Sequence, residues 1–326
     1  MQLETGNARR IELGNFIGEG GEGRVFRVKD NPSLAVKLYK VPTQQREDKV
    51  SEMVCMSERK RPSSEYAVWP SDLLYERTGH LWWKKYTFVG YTMPYVASTK
   101  PIYHFYTPKM IRQHKWKLNW GHMHVLAFNL ATVFKHFHDH ELVIGDINSN
   151  NVVVNLQLVP IIIDVDSVQI SPKHTSDVGV LEYIPPELKG RTLKNVVRSK
   201  SHDLFGLGYM IFQVLMGGCS PFAGVPKVDL CSERIDERCK DLGIFPFHAN
   251  PYVMPPPGMP DAKVFHPEVT AGFIQCFIHG RKNPNYRPDA ETWRKKLKKA
   301  EQSLIRCPRN TEHVYSSHLS CCPWCK

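Results

Sequence analysis

The chain reads as an α+β protein with a β-rich first third, a helical remainder and a small Cys/His module at its end. Three observations predict this. Short apolar segments broken by a glycine-rich loop fill residues 9–39, an amphipathic helical pattern covers 120–140 and a long apolar helical one 203–216, and Cys307, Cys321, Cys322 and Cys325 crowd the end. At 326 residues, with 42% hydrophobic and 23% charged side chains, the chain has the composition of a folded globular protein. That length suits one large two-lobed domain or two ordinary ones.

The first strands are RRIELGNFIG, then RVFRVKD after the loop EGGEG, then SLAVKLY after a turn at Asn31-Pro32. Residues 43–60 carry charges at helical spacing, and LWWKKYTFVGYTMPYV at 81–96 predicts two more strands. The helix at 120–140 presents Val125, Leu126, Leu130, Val133, Phe134 and Phe137 to a core. Segments 221–226 and 251–260 are Pro-rich loops. No internal repeat or low-complexity tract is present.

MQLETGNARR has no apolar leader segment and no later run has the length of a membrane span, so a cytoplasmic protein without a membrane partner is expected. Lys and Arg outnumber Asp and Glu, 43 against 32, for a net charge of +11. Much of that excess lies in 281–299, and in WRKKLKKAEQSLI, residues 293–305, Trp293, Leu297 and Ile305 follow near-helical spacing. The cations there form either a solvated face or a nucleic-acid surface.

Gly18, Gly20 and Gly23 form G-x-G-x-x-G ahead of Val25, joining two strands rather than a strand and a helix. Such a flap serves as a plain hairpin turn or lets backbone N–H groups cover phosphates. Lys37 follows on the next strand after Leu34, Ala35 and Val36; a buried lysine needs a carboxylate, and Glu52 is the expected partner ahead of Glu47. In LVIGDINSNNVVVN, residues 142–155, the polar set Asp146, Asn148, Asn150 and Asn151 lies between two apolar strands. Alone, it reads as a hairpin with an Asp/Asn tip.

The apolar strand PIIIDVDSV brings Asp164 into the pattern, and Asp146, Asn151 and Asp164 together resemble the catalytic set of protein kinases. Gly179 to Glu187, GVLEYIPPE, resembles the family's G-T-x-x-Y-x-A-P-E, and HDLFGLG at 202–208 its S-D-x-W-S-x-G helix start. Arg287 stands where the family pairs an arginine with that glutamate, here Glu187. TMPYV resembles the adenine-holding hinge, with Met93 as gatekeeper, Pro94 accepting and Val96 donating.

The resemblance implies a bilobal kinase-like fold, residues 1–96, 97–305 and a tail at 306–326, with ATP in the cleft. It implies that Gly18, Gly20, Gly23, Val25, Ala35, Lys37, Glu52, Met93, Pro94 and Val96 bind the nucleotide. Asn151 and Asp164 hold Mg²⁺ or Mn²⁺, and Asp146 orients or deprotonates a protein hydroxyl.

The sequence also departs from the family. Gly145 replaces the catalytic-loop arginine, Asn148 the phosphate-supporting lysine and Val180 the threonine that meets it, while Val165 and Asp166 replace the last two residues of D-F-G. Three functions follow: an atypical Ser/Thr kinase, an ATP-binding pseudokinase scaffold, or a nucleic-acid-associated module. Autophosphorylation is expected at Ser167, Ser171, Thr175 or Ser176.

In the tail, Cys322-Pro323-Trp324-Cys325 is a C-x-x-C knuckle that Cys307 and His313 complete as a structural zinc site, with His318 and Cys321 as spare ligands. A kinase-like domain closed by CPWC resembles bacterial kinase-like proteins associated with helix-hairpin-helix segments and tellurium-resistance-type modules. That resemblance implies protein substrates, with a von Willebrand A protein and a metal-dependent phosphatase as partners.

Overall fold

Antiparallel pairing organises the start of the chain, as the alternating apolar segments require. The computed structural model describes residues 2–79 and 83–325. They fall into two compact units, Met1–Thr99 with Ile161–Asp166, and Lys100–Pro160 with Ser167–Lys326. Residues 161–166, which the sequence reading puts in the helical region, therefore pack in the first unit.

The first unit is a seven-stranded sheet ordered β2-β1-β6-β7-β5-β4-β3. Its strands are β1 (Gln2–Thr5), β2 (Arg10–Ile11), β3 (Leu13–Glu19), β4 (Gly23–Val28), β5 (Asn31–Tyr39), β6 (Asp72–Thr78) and β7 (Lys85–Pro94). The two strands expected within 81–96 are instead β6 and β7, so one of them lies earlier; Leu81 and Trp82 fall outside the described residues. Leu3, Ile11, Val28, Val36, Leu74 and Val89 form a core beneath this sheet. Helix α1 (Gln44–Cys55) starts at Thr43, whose hydroxyl accepts from the Arg46 N–H, and buries Val50 and Met53.

In the second unit a strand pair, β8 (Lys100–Pro101) and β9 (Val152–Val154), accompanies helices α2 (Tyr103–Tyr106), α3 (Pro108–His114) and α4 (Trp120–Asp139). Asn119 and His122 close a capping box at the start of α4. Leu126, Leu130, Val133, Phe134 and Phe137 of α4 are fully buried, whereas Val125 is exposed. The hairpin reading of 142–155 does not hold. Val143 bridges Gln169, and β9 pairs with β8, because Asp146 to Asn151 form a side-chain-bonded loop rather than a two-strand tip.

The remaining helices are α5 (Lys200–Leu215), α6 (Ile235–Leu242), α7 (Pro267–Ile274), a π turn (Gln275–His279) leading to α8 (Gly280–Lys282), and α9 (Ala290–Gln302). Phe205, Phe212, Phe245, Phe273, Phe277 and Trp293 build their common core. Helix α9 buries Trp293 and Leu297, but it ends at Gln302, so Ile305 belongs to the following strand and is exposed. No described helix is long and apolar enough to cross a membrane.

Arg287 fixes the loop before α5. Its side chain is fully buried and binds Glu187 through two contacts of 2.6 and 2.8 Å, and Nη1 also donates to the Ser201 carbonyl at 2.9 Å. Burial works against the Glu187 charge, and the Arg287 guanidinium outweighs it, holding the carboxyl below its ordinary pKa. Its contribution to stability is therefore present above the unfolded-state pKa and lost as the pH falls through the folded-state one. Arg287→Ala should cost about 2 kcal/mol, because it takes both bonds from a half-buried carboxylate and empties a fully buried side-chain site. Denaturant melts at neutral pH should show this, with the gap to wild type narrowing as Glu187 protonates.

Candidate active site

Lys37 lies on β5 opposite Val25 of β4 and Tyr91 of β7, which carries its side chain beneath the sheet, where it is 4% exposed. Such an ammonium is tolerable only against carboxylates. It donates to both oxygens of Asp166, at 2.7 and 2.9 Å, and to Asp164, with Glu22 at 3.9 Å. Burial pulls against its charge, and the fields of Asp166 and Asp164 more than restore it, so the Lys37 pKa is raised. Glu52 is exposed on α1 and Glu47 accepts from the Tyr75 hydroxyl at 2.9 Å. The expected pairing of Lys37 with Glu52 is thus replaced by pairing with Asp166 and Asp164.

Asp166 also accepts from the hydroxyls of Tyr39, at 2.7 Å, and Tyr91, at 3.2 Å. Burial raises its pKa, but Lys37 dominates and the net shift is downward. Asp164 moves the other way: burial and the neighbouring Asp166 charge raise it against the pull of Lys37. Its backbone is left-handed, φ +61°, a conformation aspartate tolerates better than most residues. Oxygens of Glu22, Asp164 and Asp166 lie within 4.8 Å of one another, a set with metal-binding potential.

Close packing demands glycine at Gly23, where a Cβ would stand 2.5 Å from the Leu38 carbonyl oxygen. No atom lies within 4 Å of a Cβ built at Gly18 or Gly20, so packing does not demand glycine there. At the end of β7, Met93 is buried and faces Ala35 of β5, and Tyr95 donates to the Ser33 carbonyl at 2.8 Å. Among the described residues the Val96 N–H meets no acceptor.

The second unit holds the Asp/Asn loop. Asn151 donates from its side chain to Asp146 Oδ2 at 2.8 Å and to the Asp146 carbonyl at 3.2 Å. Buried Asn148 accepts from the N–H groups of Asn150 and Asn151, at 3.0 and 3.1 Å, and turns its amide to Asp146 at 3.3 Å. Asn148 therefore builds the loop with both ends of its side-chain amide. Asp203, 1% exposed, anchors it by accepting from the N–H groups of Ile144 and Gly145 at 2.7 and 3.0 Å.

Sequence reasoning missed Arg198. This residue, 4% exposed, donates to the Gly145 carbonyl through Nη1 and to the Val178 carbonyl at 2.5 Å through Nη2. Gln169 clamps its backbone on both sides with bonds of 2.8 Å. The signal was present only as a gap: an arginine missing at Gly145 with none assigned in its place. Ser176 and Ser167 are buried rather than presented on a mobile segment, while Ser171 and Thr175 are half-buried and Val180 is exposed.

At the end of the second unit, α9 runs into a hairpin whose strands pair Leu304–Arg306 with Val314–Ser316. Cys307, His313, Cys322 and Cys325 converge there, each offering one ligand atom within 4.8 Å of the others. Cys307 and Cys325 sulfurs are 3.4 Å apart, and His313 Nδ1 is 3.5 Å from Cys325 and 3.8 Å from Cys322. Ligands about 2.0–2.3 Å from a tetrahedral ion stand roughly 3.3–3.8 Å apart, so the set fits a metal ion. Burial disfavours the Cys307 thiolate, and N–H groups of Arg309 and Asn310 outweigh it, lowering its pKa. The spare ligands lie elsewhere: His318 bonds Ser316 and the Lys263 carbonyl, and Cys321 is exposed.

A family model described as the protein kinase domain matches residues 11–292. The chain belongs to the protein kinase family. It is similar to the Protein kinase YegI of Escherichia coli strain K12, with 31% identity over 337 residues that take in 100% of this chain and 50% of that protein. The Protein kinase YegI of Escherichia coli O157:H7 is 31% identical over 335 residues, 99% of this chain and 50% of that protein. The chain spans about half the length of the curated relatives it matches.

At Gly145, where the sequence resemblance expects the family's catalytic-loop arginine, there is no room for a side chain. Gly145 has φ +77°, and a Cβ there would stand 2.4 Å from Ser176 Oγ and 3.3 Å from Arg198 Nη1. Gly145→Arg, which restores the family's residue, should lower stability by about 2 kcal/mol or more from left-handed strain and overlap, without raising activity. Denaturant melts of variant and wild type measure the difference.

Proposed function

We propose that this protein is an atypical Ser/Thr kinase that transfers the γ-phosphate of ATP to protein hydroxyls. The observation that carries the reading is the Asp146 carboxylate, held at 2.8 Å by the Asn151 side chain in a loop anchored on Asp203. An aspartate oriented in this way can accept the proton of an attacking hydroxyl, and asparagine five residues on leaves its amide oxygen for a metal ion. Lys37 contacts the nucleotide phosphates beneath Gly18, Gly20 and Gly23. The open space over Gly18 and Gly20 supports a close ligand approach, and Met93, Pro94 and Val96 hold the adenine.

The donor chemistry suits a divalent cation. Glu22, Asp164 and Asp166 set three carboxylates around one lysine, with Arg46 drawing on Glu22 at 2.9 Å. Asp164 and Asn151 are the Mg²⁺ ligands in this reading, and bound Mg²⁺ supplies neutralisation of the phosphate charge. Positioning and electrostatics supply most of phosphoryl-transfer catalysis, so the change of lysine to Asn148 slows transfer without removing the base.

A second reading, an ATP-binding scaffold with little turnover, is favoured by the inward turn of the Asn148 amide, which leaves no cation in the loop to meet the transferred group. The nucleic-acid reading draws no support from α9, where Lys296 and Lys299 pair with Glu268, Arg294 with Glu291 and Lys298 with Glu301. On the narrower resemblance of the CPWC tail, partners include a von Willebrand A protein and a metal-dependent phosphatase.

The tail is assigned to structural zinc, because three thiolates and an imidazole close the coordination shell and leave no position for substrate. Trp324 donates to the Val314 carbonyl at 2.8 Å and meets Trp120 of α4 edge-on, so the ion also secures packing on α4.

Incubation with γ-labelled ATP and Mg²⁺ should label the protein or a protein of its own lysate, and Asp146→Asn should reduce labelling about 10²-fold or more. Equal labelling by both forms sinks the base assignment, and no labelling by ATP-binding wild type establishes the scaffold. Elemental analysis should find about one zinc per chain, lost together with thermal stability in Cys322→Ser and Cys325→Ser.

A further inference from the structure

Asp166 stands where the family's metal-strand motif ends in glycine, so a residue without a side chain has been exchanged for a buried carboxylate. Its side chain is 5% exposed and meets three donors: Lys37 on both oxygens, Tyr39 on Oδ2 and Tyr91 on Oδ1. The sheet itself sets this geometry. Lys37 and Tyr39 share one face of β5 at a spacing of two, and Tyr91 is the registered partner of Lys37 across to β7. Meanwhile Glu52, the expected partner, is exposed on α1.

We propose that Asp166 is the positioning residue for Lys37 in nucleotide binding, in the role expected of a glutamate on α1; the inference rests on the ATP-dependent reading above. The three carboxylates near Lys37 are not equivalent. Glu22 is 3.9 Å away and already accepts from Arg46 at 2.9 Å. Asp164 is the residue assigned to Mg²⁺, and a carboxylate ligating a divalent ion has less of its charge to offer an ammonium. Asp166 keeps its bonds to Lys37 in either case, because two tyrosine hydroxyls orient it independently of the metal. Lys37 is therefore held from within the strand framework, and the placement of α1 does not govern it.

The test separates phosphate binding from nucleoside binding in the full chain. Calorimetry would compare MgATP and adenosine with wild type, Asp166→Asn, Tyr39→Phe and Glu52→Gln. Asp166→Asn keeps the shape and removes the charge, so MgATP should bind about tenfold more weakly while adenosine binds as in wild type. Tyr39→Phe, a milder change that keeps the ring, should give a smaller loss in the same direction. Glu52→Gln should bind both ligands as wild type does.

The proposal is overturned if Asp166→Asn binds MgATP like wild type, if it loses MgATP and adenosine in step, or if Glu52→Gln matches its loss. Wild type that binds neither ligand overturns this proposal and the kinase reading together. Wild type that binds both, with Asp166→Asn unchanged, overturns this proposal alone.

Discussion

A lysine buried in an antiparallel sheet is the constraint around which the first unit is arranged. An ammonium 4% exposed has to be compensated by anions that are themselves hydrogen-bonded, since an uncompensated charge would cost more than a typical fold can absorb. The carboxylates come from residues 161–166, far along the chain, and that requirement brings the segment back into the first unit. It is fastened there by a parallel bridge from Ile162 to Ala67 and by the Ile162 N–H donating to the Tyr66 carbonyl at 2.8 Å. The left-handed turn at Asp164 then allows Asp164 and Asp166 to reach the same ammonium.

The second unit solves a related problem in its loops. Residues 142–151 and 176–187 contain little regular structure, so their backbone groups need partners from side chains. Asp203 supplies two acceptors at the start of α5, Arg198 two donors just before it, and Arg287 ties Glu187 to the Ser201 carbonyl. These buried charged residues all converge on the first turns of α5, whose capping box at Ser199 and His202 fixes where that helix starts. One helix terminus thus acts as the reference point for both the Asp/Asn loop and the segment after it.

Much of this was legible because the chemistry-bearing residues sit at short fixed spacings. Asp146 and Asn151 are close in sequence, and the structure joins them by a direct bond; Cys307, His313, Cys322 and Cys325 likewise converge within one hairpin and its knuckle. Long-range choices were harder. Glu52 is the expected partner because a buried lysine needs a carboxylate and the next helical segment offers one, but which carboxylate reaches Lys37 depends on the path of a segment more than a hundred residues away, and no local pattern encodes that path. The same limit hid Arg198, which lies in an irregular stretch with no periodicity to mark it. Strand limits near residue 80 were misplaced because β6 carries charged residues at Asp72, Glu76 and Arg77, so its alternation is weaker than that of β7. Arg77 is accounted for by its ion pair with Glu4 at 2.7 Å.

Arg198 bears on how the Asp/Asn loop is held. In a kinase whose loop carries an arginine, a phosphate on the following segment can neutralise that cation and order the segment. Here the loop residue is Gly145, and the guanidinium nearby belongs to Arg198, whose donors already satisfy the Gly145 and Val178 carbonyls. A phosphate drawing Arg198 away would leave two carbonyls without their partner, and it would have to reach a side chain that is 4% exposed. Ser176, the hydroxyl nearest Gly145, is itself fully buried, so phosphorylation there would require the segment to open first. The segment is ordered by internal bonds that need no modification, and the cost of breaking them opposes the phosphate switch that the loop arginine would otherwise provide.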